Sequence, residues 1–207
     1  AGYLDAKEPT LLMALIQNDD AYGAAIIDVS TGDFHTAEFL GPEGAQALAD
    51  ELTLLSPREI VVANDSAPKD VLAAENAPAT VTPIDSWTFG FDHATRVLCD
   101  QFRTTSLDGY GLDNRPLATM AAGALLQYVR DTQKVALDHV RTIAYRSQAD
   151  HLLIDPQTFS HLEIVDGAAG DPRASLLSEI DRTATSMGGR RLRDWLQHPL
   201  HSLERIL

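Results

Sequence analysis

Three strand-length runs between Thr10 and Phe39, cut by two tight turns, constrain this chain more than any other feature. Thr10 to Gln17 is an apolar run of the length a buried strand needs, and Asn18-Asp19-Asp20 is a turn signal. Ala21 to Asp28 resumes the apolar character and Ser30-Thr31-Gly32-Asp33 turns the chain again. Asp33 to Phe39 then alternates, with Phe34, Thr36 and Glu38 on one face and His35, Ala37 and Phe39 on the other. This rhythm predicts an antiparallel meander. Gly44 to Leu55 follows with Ala45, Leu48, Leu52 and Leu55 at helical spacing. Ser56-Pro57 ends it, because proline disfavours helix in the residue before it. Glu59 to Ala63 is a β-branched strand, residues 66–76 a short helix and Ala79 to Ile84 a last strand. Strands alternating with helices after a meander predict a mixed sheet covered by helices.

The remainder is mostly helical. Phe91 to Phe102 turns Ala94, Leu98 and Phe102 inward, and Asp108 to Asn114 forms a loop in which Gly109 and Gly111 permit positive φ. That loop is the expected domain boundary, giving an α/β domain over 1–108 and a helical one over 109–207, with Gly109 and Gly111 as the hinge. Arg115-Pro116 opens a helix to about Gln133, since proline in the first turn sacrifices no hydrogen bond. Ala118, Ala121, Ala122, Leu125, Leu126 and Val129 form its apolar stripe, and the alanines and Gly123 allow a neighbouring helix close. Thr142 to Tyr145 and Leu152 to Ile154 are short extended pieces. Asp155-Pro156 reads as an N-cap and first-turn proline. Gly167 to Gly170 is a flexible connection. Leu176, Leu177, Ile180 and Ala184 stripe one helix; Leu192, Trp195 and Leu196 stripe another that ends before Pro199.

Charge is distributed unevenly. Residues 1–100 hold 17 Asp and Glu against 4 Lys and Arg, a balance of -13, whereas residues 101–207 hold 13 against 12, a balance of -1. The first half therefore repels a phosphate backbone, since nonspecific DNA affinity comes from Lys and Arg displacing counterions. Its acidity reads first as a solubility device or an adaptation to a salty interior, and second as a face for a basic partner. Cys99 is the single cysteine, which excludes a disulfide framework and points to a reducing cytosol. No apolar run is long enough to span a bilayer. The first residues lack the pattern of a signal peptide and a starting Met, as an excised piece of a longer chain would.

Residues able to carry chemistry are few. A mixed sheet is also what a ribonuclease H-like nuclease offers, and such enzymes gather carboxylates around two metal ions. Asp28, Asp33 and Asp85 are the candidates, but Asp28 and Asp33 flank a Ser-Thr-Gly turn, where Asp commonly bonds the local backbone, and the first strand carries no acid. His151 and His161 bracket Asp155, and His198 and His201 lie three apart, yet neither set supplies the ligands zinc requires. Ser175, Ser178 and Ser186 lack a nucleophile elbow, and no phosphate-binding loop is present. Arg190, Arg191 and Arg193 form a basic cluster that can contact phosphate, against a favoured reading of a solvated face or ion pairs with Asp194. Trp195, on the apolar stripe, is expected in a core rather than stacked on a base.

Thr183 to Leu200, Thr-Ala-Thr-Ser-Met-Gly-Gly-Arg-Arg-Leu-Arg-Asp-Trp-Leu-Gln-His-Pro-Leu, resembles the T-x-T-x-M-G-x-R-x-L-x-x-W-L-x-x-P-L segment of the MutS family. Asp28 to Phe34 is similar to that family's D-x-S-T-G-x-F hairpin, and Ser56 to Ile60 to its P-x-E-[IL] strand entry. Ala121 to Gln133 resembles A-A-G-x-L-L-x-Y-x-x-x-T-Q, and Leu153 to Ile164 resembles L-D-x-x-T-x-x-N-L-E-[IL]. The motifs fall in family order over essentially the whole chain. His161 departs where the family usually has Asn, and Phe159-Ser160 where basic residues are common, so any polar contact made there is in doubt. The resemblance implies an α/β ribonuclease H-like connector domain without nuclease carboxylates, followed by the beginning of a mainly α-helical core, or lever, domain. It implies no catalytic residue, metal or cofactor in this piece, with ATP and Mg held by an ATPase domain elsewhere in the parent. It further implies a cytoplasmic homodimer that clamps mismatched double-stranded DNA, and a connector that takes part in recruiting MutL.

Overall fold

The computed structural model describes residues 10–68, 71–72, 79–133, 137–167 and 170–206. The expected helix over 66–76, the first nine residues and the centre of the Gly167–Gly170 connection lie wholly or largely outside them. Two compact units divide the chain, one containing Thr10–Arg146 and the other Ser147–Leu207.

In the first unit the meander forms as its turns dictate. Strands β1 (Leu11–Asn18), β2 (Ala21–Asp28) and β3 (Asp33–Phe39) pair antiparallel, with Leu11 opposite Asp28 and Asp28 opposite Asp33. Helix α1 (Gly44–Leu55) follows and closes on Ser56, whose N–H makes the last helical bond to the Leu52 carbonyl and whose left-handed φ of 45° turns the chain out of the helix. Strand β4 (Glu59–Ala63) then lies parallel to β1, and β5 (Thr80–Ile84) parallel to β4. Pro83 is tolerated because β5 is an edge strand. The order is β5-β4-β1-β2-β3-β6, where β6 is the pair Ala144–Tyr145 beside β3.

Alternation divides the strand side chains between two cores. Met13, Leu15, Ala24, Ile26, Ile60 and Val62 meet Leu48, Ala49 and Leu52 of α1 on one face. Leu12, Ala14, Ile16, Ala25, Ile27 and Val61 face the other way, toward α2 (Phe91–Phe102) and α3 (Pro116–Gln133). A sheet covered on both faces explains why β1 and β2 read as continuous apolar runs. The α3 stripe is fully buried at Ala118, Ala121, Ala122, Leu125, Leu126 and Val129. Close packing of α2 on α3 follows from Gly123, where an added Cβ would lie 2.3 Å from the Ala94 Cα. Gly23 of β2 does the same for the start of α3, since a Cβ there would lie 2.3 Å from the Leu117 carbonyl oxygen.

The expected boundary after residue 108 requires correction. Helix α3 completes one face of the sheet, and β6 extends the sheet further, so the compact unit continues to Arg146. The Asp108–Asn114 loop is a turn inside this unit, with a 3-10 segment over Asp108–Tyr110 and Tyr110 stacked on Phe102 at 5.0 Å.

The second unit is built from short helices: α4 (Pro156–His161), α5 (Leu176–Ile180), α6 (Ser186–Gln197) and α7 (Leu203–Ile206). Asp155 caps α4 as its sequence predicts, accepting from the Thr158 N–H at 2.9 Å. The helix expected to run from Leu176 through Ala184 is instead broken after Ile180. Asp181 Oδ1 accepts from the Thr183 N–H at 2.8 Å and its hydroxyl at 2.6 Å, and Thr185 caps α6 by accepting from the Gly188 N–H at 3.0 Å. These local bonds outcompete helix continuation. Leu152 to Ile154 form no strand; the extended contact here is a bridge between His151 and Leu200.

Candidate functional site

Of the three carboxylates a nuclease would need, Asp28 and Asp33 lie opposite one another on β2 and β3, but strand order and direction keep Asp85 away from both. Asp28 closes β2, opposite Leu11 at the first residue of β1. Asp85 follows the last residue of β5, which runs parallel to β4 and, through it, to β1. The two acids therefore sit at opposite ends of the sheet and three strands apart, a lateral separation of roughly 14 Å. Each also has local work. Asp28 Oδ1 accepts from the Ser30 N–H at 3.0 Å and its hydroxyl at 2.6 Å, while the Asp28 carbonyl takes the Gly32 N–H at 2.8 Å. Asp85 Oδ2 accepts from the Trp87 indole at 3.3 Å, and Asp33 lies 3.3 Å from His35 Nε2. Among the described residues no group of three or more His, Cys, Asp or Glu could hold a metal ion.

The polar residues on the α3 side of β3 serve that helix. Buried Glu38 directs Oε1 at the Leu117 and Ala118 N–H groups, 2.9 and 3.1 Å away. These are amides that no intrahelical carbonyl can reach, and they carry the positive end of the helix dipole. Glu38 Oε2 is 3.7 Å from the Arg115 guanidinium, which lies 4.7 Å over the Tyr145 ring. Burial raises the Tyr145 phenol above its ordinary range, with Arg115 pulling the other way. The Thr36 hydroxyl lies 2.7 Å from the Ala24 carbonyl oxygen and 2.9 Å from that of Ala118. On the opposite face, His35 Nε2 lies 3.0 Å from the Arg146 guanidinium. No sequence signal marks Glu38 as a cap, because strand and helix are far apart in the chain.

In the second unit, His198 pairs with Asp194 at 3.2 Å rather than with His201, and its carbonyl lies 3.0 Å from His151 Nδ1. His161 ends α4, and the Thr158 hydroxyl and N–H together hold the Asp155 carboxyl below its usual range. Ser175 is the α5 cap, accepting from the Ser178 N–H at 3.2 Å. Of the basic cluster, Arg191 pairs with Asp194 at 3.4 Å and lies 5.7 Å over the Trp195 ring. Arg190 and Arg193 are half-buried and engaged with other groups. Trp195 itself is 60% exposed, correcting its expected place in a core. The α6 stripe of Leu192 and Leu196 is only half-buried, so this helix does not enclose the indole. Gly109 and Gly111 both lie within the Thr10–Arg146 unit, so they are not the joint between the two units.

These features define a class: a mixed α/β unit in which Asp28 and Asp85 serve local turns and Glu38 caps a helix, followed by a mainly helical unit. The family model described as MutS domain II matches residues 10–141 and that described as MutS domain III matches residues 157–207. The DNA mismatch repair protein MutS of Salinibacter ruber (strain DSM 13855 / M31) is 37% identical over 208 residues, covering 98% of this chain. The chain belongs to the MutS family, and spans 22% of that relative's length.

Proposed function

We propose that this chain is the connector and the opening part of the core, or lever, domain of a DNA mismatch-repair protein. The observation that carries this reading is the order of the two family matches, domain II over 10–141 and domain III over 157–207, across nearly the whole chain. A ribonuclease H-like connector is supported by the strand order β3-β2-β1-β4-β5 with β2 alone reversed. With Asp28 and Asp85 at opposite ends of the sheet, it works as a scaffold rather than a nuclease. The parent protein is a cytoplasmic homodimer that clamps mismatched DNA and hydrolyses ATP with Mg in a domain outside this sequence. This piece links the mismatch reader to that ATPase and offers a docking surface to a MutL-like protein. Arg191, paired with Asp194, and Arg190 and Arg193, engaged with other groups, favour an ion-paired face, with phosphate contact in the assembled clamp as the second reading. Among the described residues no helix is long and apolar enough to cross a membrane.

Binding of the immobilised chain to the cognate MutL-like protein at two salt concentrations tests the docking role. Saturable binding that weakens with salt is expected, because the first half of the chain is acidic. Absence of binding would overturn the docking role. Metal-dependent cleavage of a nucleic acid, lost on changing Asp28 or Asp85, would favour the nuclease reading instead. Tight DNA binding by the chain alone, falling steeply with salt, would favour a simple DNA-binding piece.

A further inference from the structure

A single nitrogen of His35 faces two groups that make opposite demands on it. His35 lies on β3 and is buried. Its Nε2 is 3.0 Å from Arg146 Nη2 and 3.3 Å from Asp33 Oδ2. A guanidinium only donates, so the contact with Arg146 needs a bare Nε2 and a neutral ring with its proton on Nδ1. An ionised carboxylate only accepts, so the contact with Asp33 needs a proton on Nε2. The nitrogen cannot serve both at once. A second proton therefore turns the ring from Arg146, which repels an imidazolium, to Asp33, which attracts it. The residues opposite His35 carry no charge: they are Ile26 on β2 and Ala144 on β6. Asp28, opposite Asp33, accepts from the Ser30 N–H and hydroxyl. Helix α1 packs against β3 and carries Asp50 and Glu51, of which Asp50 accepts from Gln46 Nε2 at 2.9 Å. An acid on that helix favours the charged ring, as Asp33 does.

Arg146 is the last residue of the first unit. It follows β6, a strand of only two residues, and its N–H donates to the Thr36 carbonyl at 2.8 Å. Just upstream, the Arg115 guanidinium lies over the Tyr145 ring and Ile143 is buried in the core. The chain can therefore fray at Arg146 without undoing the sheet. We propose that His35 is a proton-operated latch on Arg146. Neutral, it accepts from the guanidinium and holds Arg146 against β3. Protonated, it donates to Asp33, lets go of Arg146 and weakens the backbone bond from Arg146 to Thr36. Acid thus moves the end of the first unit back by one residue and lengthens the link that follows it.

Long-range proton–nitrogen NMR spectra of the histidine rings read the tautomer, and amide-exchange protection factors read the backbone. Both are recorded on the 207-residue chain from pH 5 to 8, the range in which imidazoles change charge. The His35 signals are assigned with His35→Gln. At pH 8 the His35 proton should sit on Nδ1. As the ring titrates, protection of the Arg146 amide should fall about tenfold, the scale of one hydrogen bond, with the same midpoint. The Val140 amide, bonded to the Leu137 carbonyl upstream of β6, should keep its protection. His35→Gln is uncharged at every pH and offers Arg146 an acceptor oxygen, so it should abolish the pH dependence. Asp33→Asn removes the charge that favours the protonated ring, so release should move to lower pH. A proton on Nε2 at pH 8, a ring that does not titrate in this range, or Arg146 protection that ignores its titration would each overturn the latch. The same loss in His35→Gln would overturn it too and assign the effect to another group, such as Glu51. Should His35→Gln fail to fold, Asp33→Asn decides: an unmoved midpoint would overturn the exchange of partners.

Discussion

Glu38 lies on a strand, yet its carboxylate ends the helix packed across that strand. The Leu117 and Ala118 amides would otherwise be buried without an acceptor, and burying such donors unpaired is costly. Glu38→Ala is therefore expected to destabilise the first unit by about 2 kcal/mol, the combined scale of a lost cap and a lost charge-assisted bond. Glu38→Gln keeps an acceptor oxygen and should lose less. Arg115→Ala should change little, because the Arg115 side chain is 39% exposed and 3.7 Å from the carboxylate. Urea unfolding of the three variants decides this. Equal stability of Glu38→Ala and the parent chain would remove Glu38 from its role as cap. Individual residues were unevenly legible in the sequence. Asp28 and Asp155 were legible because their partners lie within three residues of them. Glu38 was not, because its partners lie 79 and 80 residues away. Trp195 misled for a different reason: periodicity shows which face of a helix is apolar, but not whether anything covers that face.

At the scale of elements, periodicity served wherever a strand or helix was long. The meander, α1, β4, β5, α2 and α3 all form where alternation or helical spacing places them. It failed between Leu176 and Ala184, where the apolar spacing continues through Asp181 but side-chain bonds to the backbone break the helix. Packing between elements was readable at one position, Gly123. A Cβ there would lie 2.4 Å from the Ala94 Cβ and 2.3 Å from its Cα, so α2 and α3 cross where neither can carry a larger residue. Gly123→Ala must push the helices apart and is expected to cost about 1 to 3 kcal/mol, the usual range for overpacking. Adding Ala94→Gly should recover little of this, because the nearest atom belongs to the backbone and cannot be trimmed. Thermal or urea unfolding of the single and double variants measures it. Full rescue by Ala94→Gly would mean that the side chain, not the backbone, sets the distance.

For the whole molecule, the question is where the first unit ends. A glycine-containing loop is a reasonable place to divide a chain, and Gly111, at a φ of 74°, does take the backbone that favours glycine. A loop's composition, however, does not reveal which core the next helix completes. Both apolar cores of the sheet are closed by residues between Leu12 and Tyr145, and one of them draws Ala118, Ala121, Ala122, Leu125, Leu126 and Val129 from α3. A piece spanning residues 10–108 would expose Leu12, Ala14, Ile16, Ala25 and Ile27 along much of one sheet face and leave Glu38 without the amides it caps. Residues 10–146 keep both cores, the Glu38 cap and β6. The longer piece is expected to unfold in one cooperative transition, and the shorter one to aggregate or to unfold without a transition. Circular dichroism during heating, with light scattering recorded alongside, distinguishes them. A cooperative transition in residues 10–108 would mean that the sheet and α2 suffice without α3. The core would then be smaller than its buried side chains imply, and the division at the glycine loop would stand.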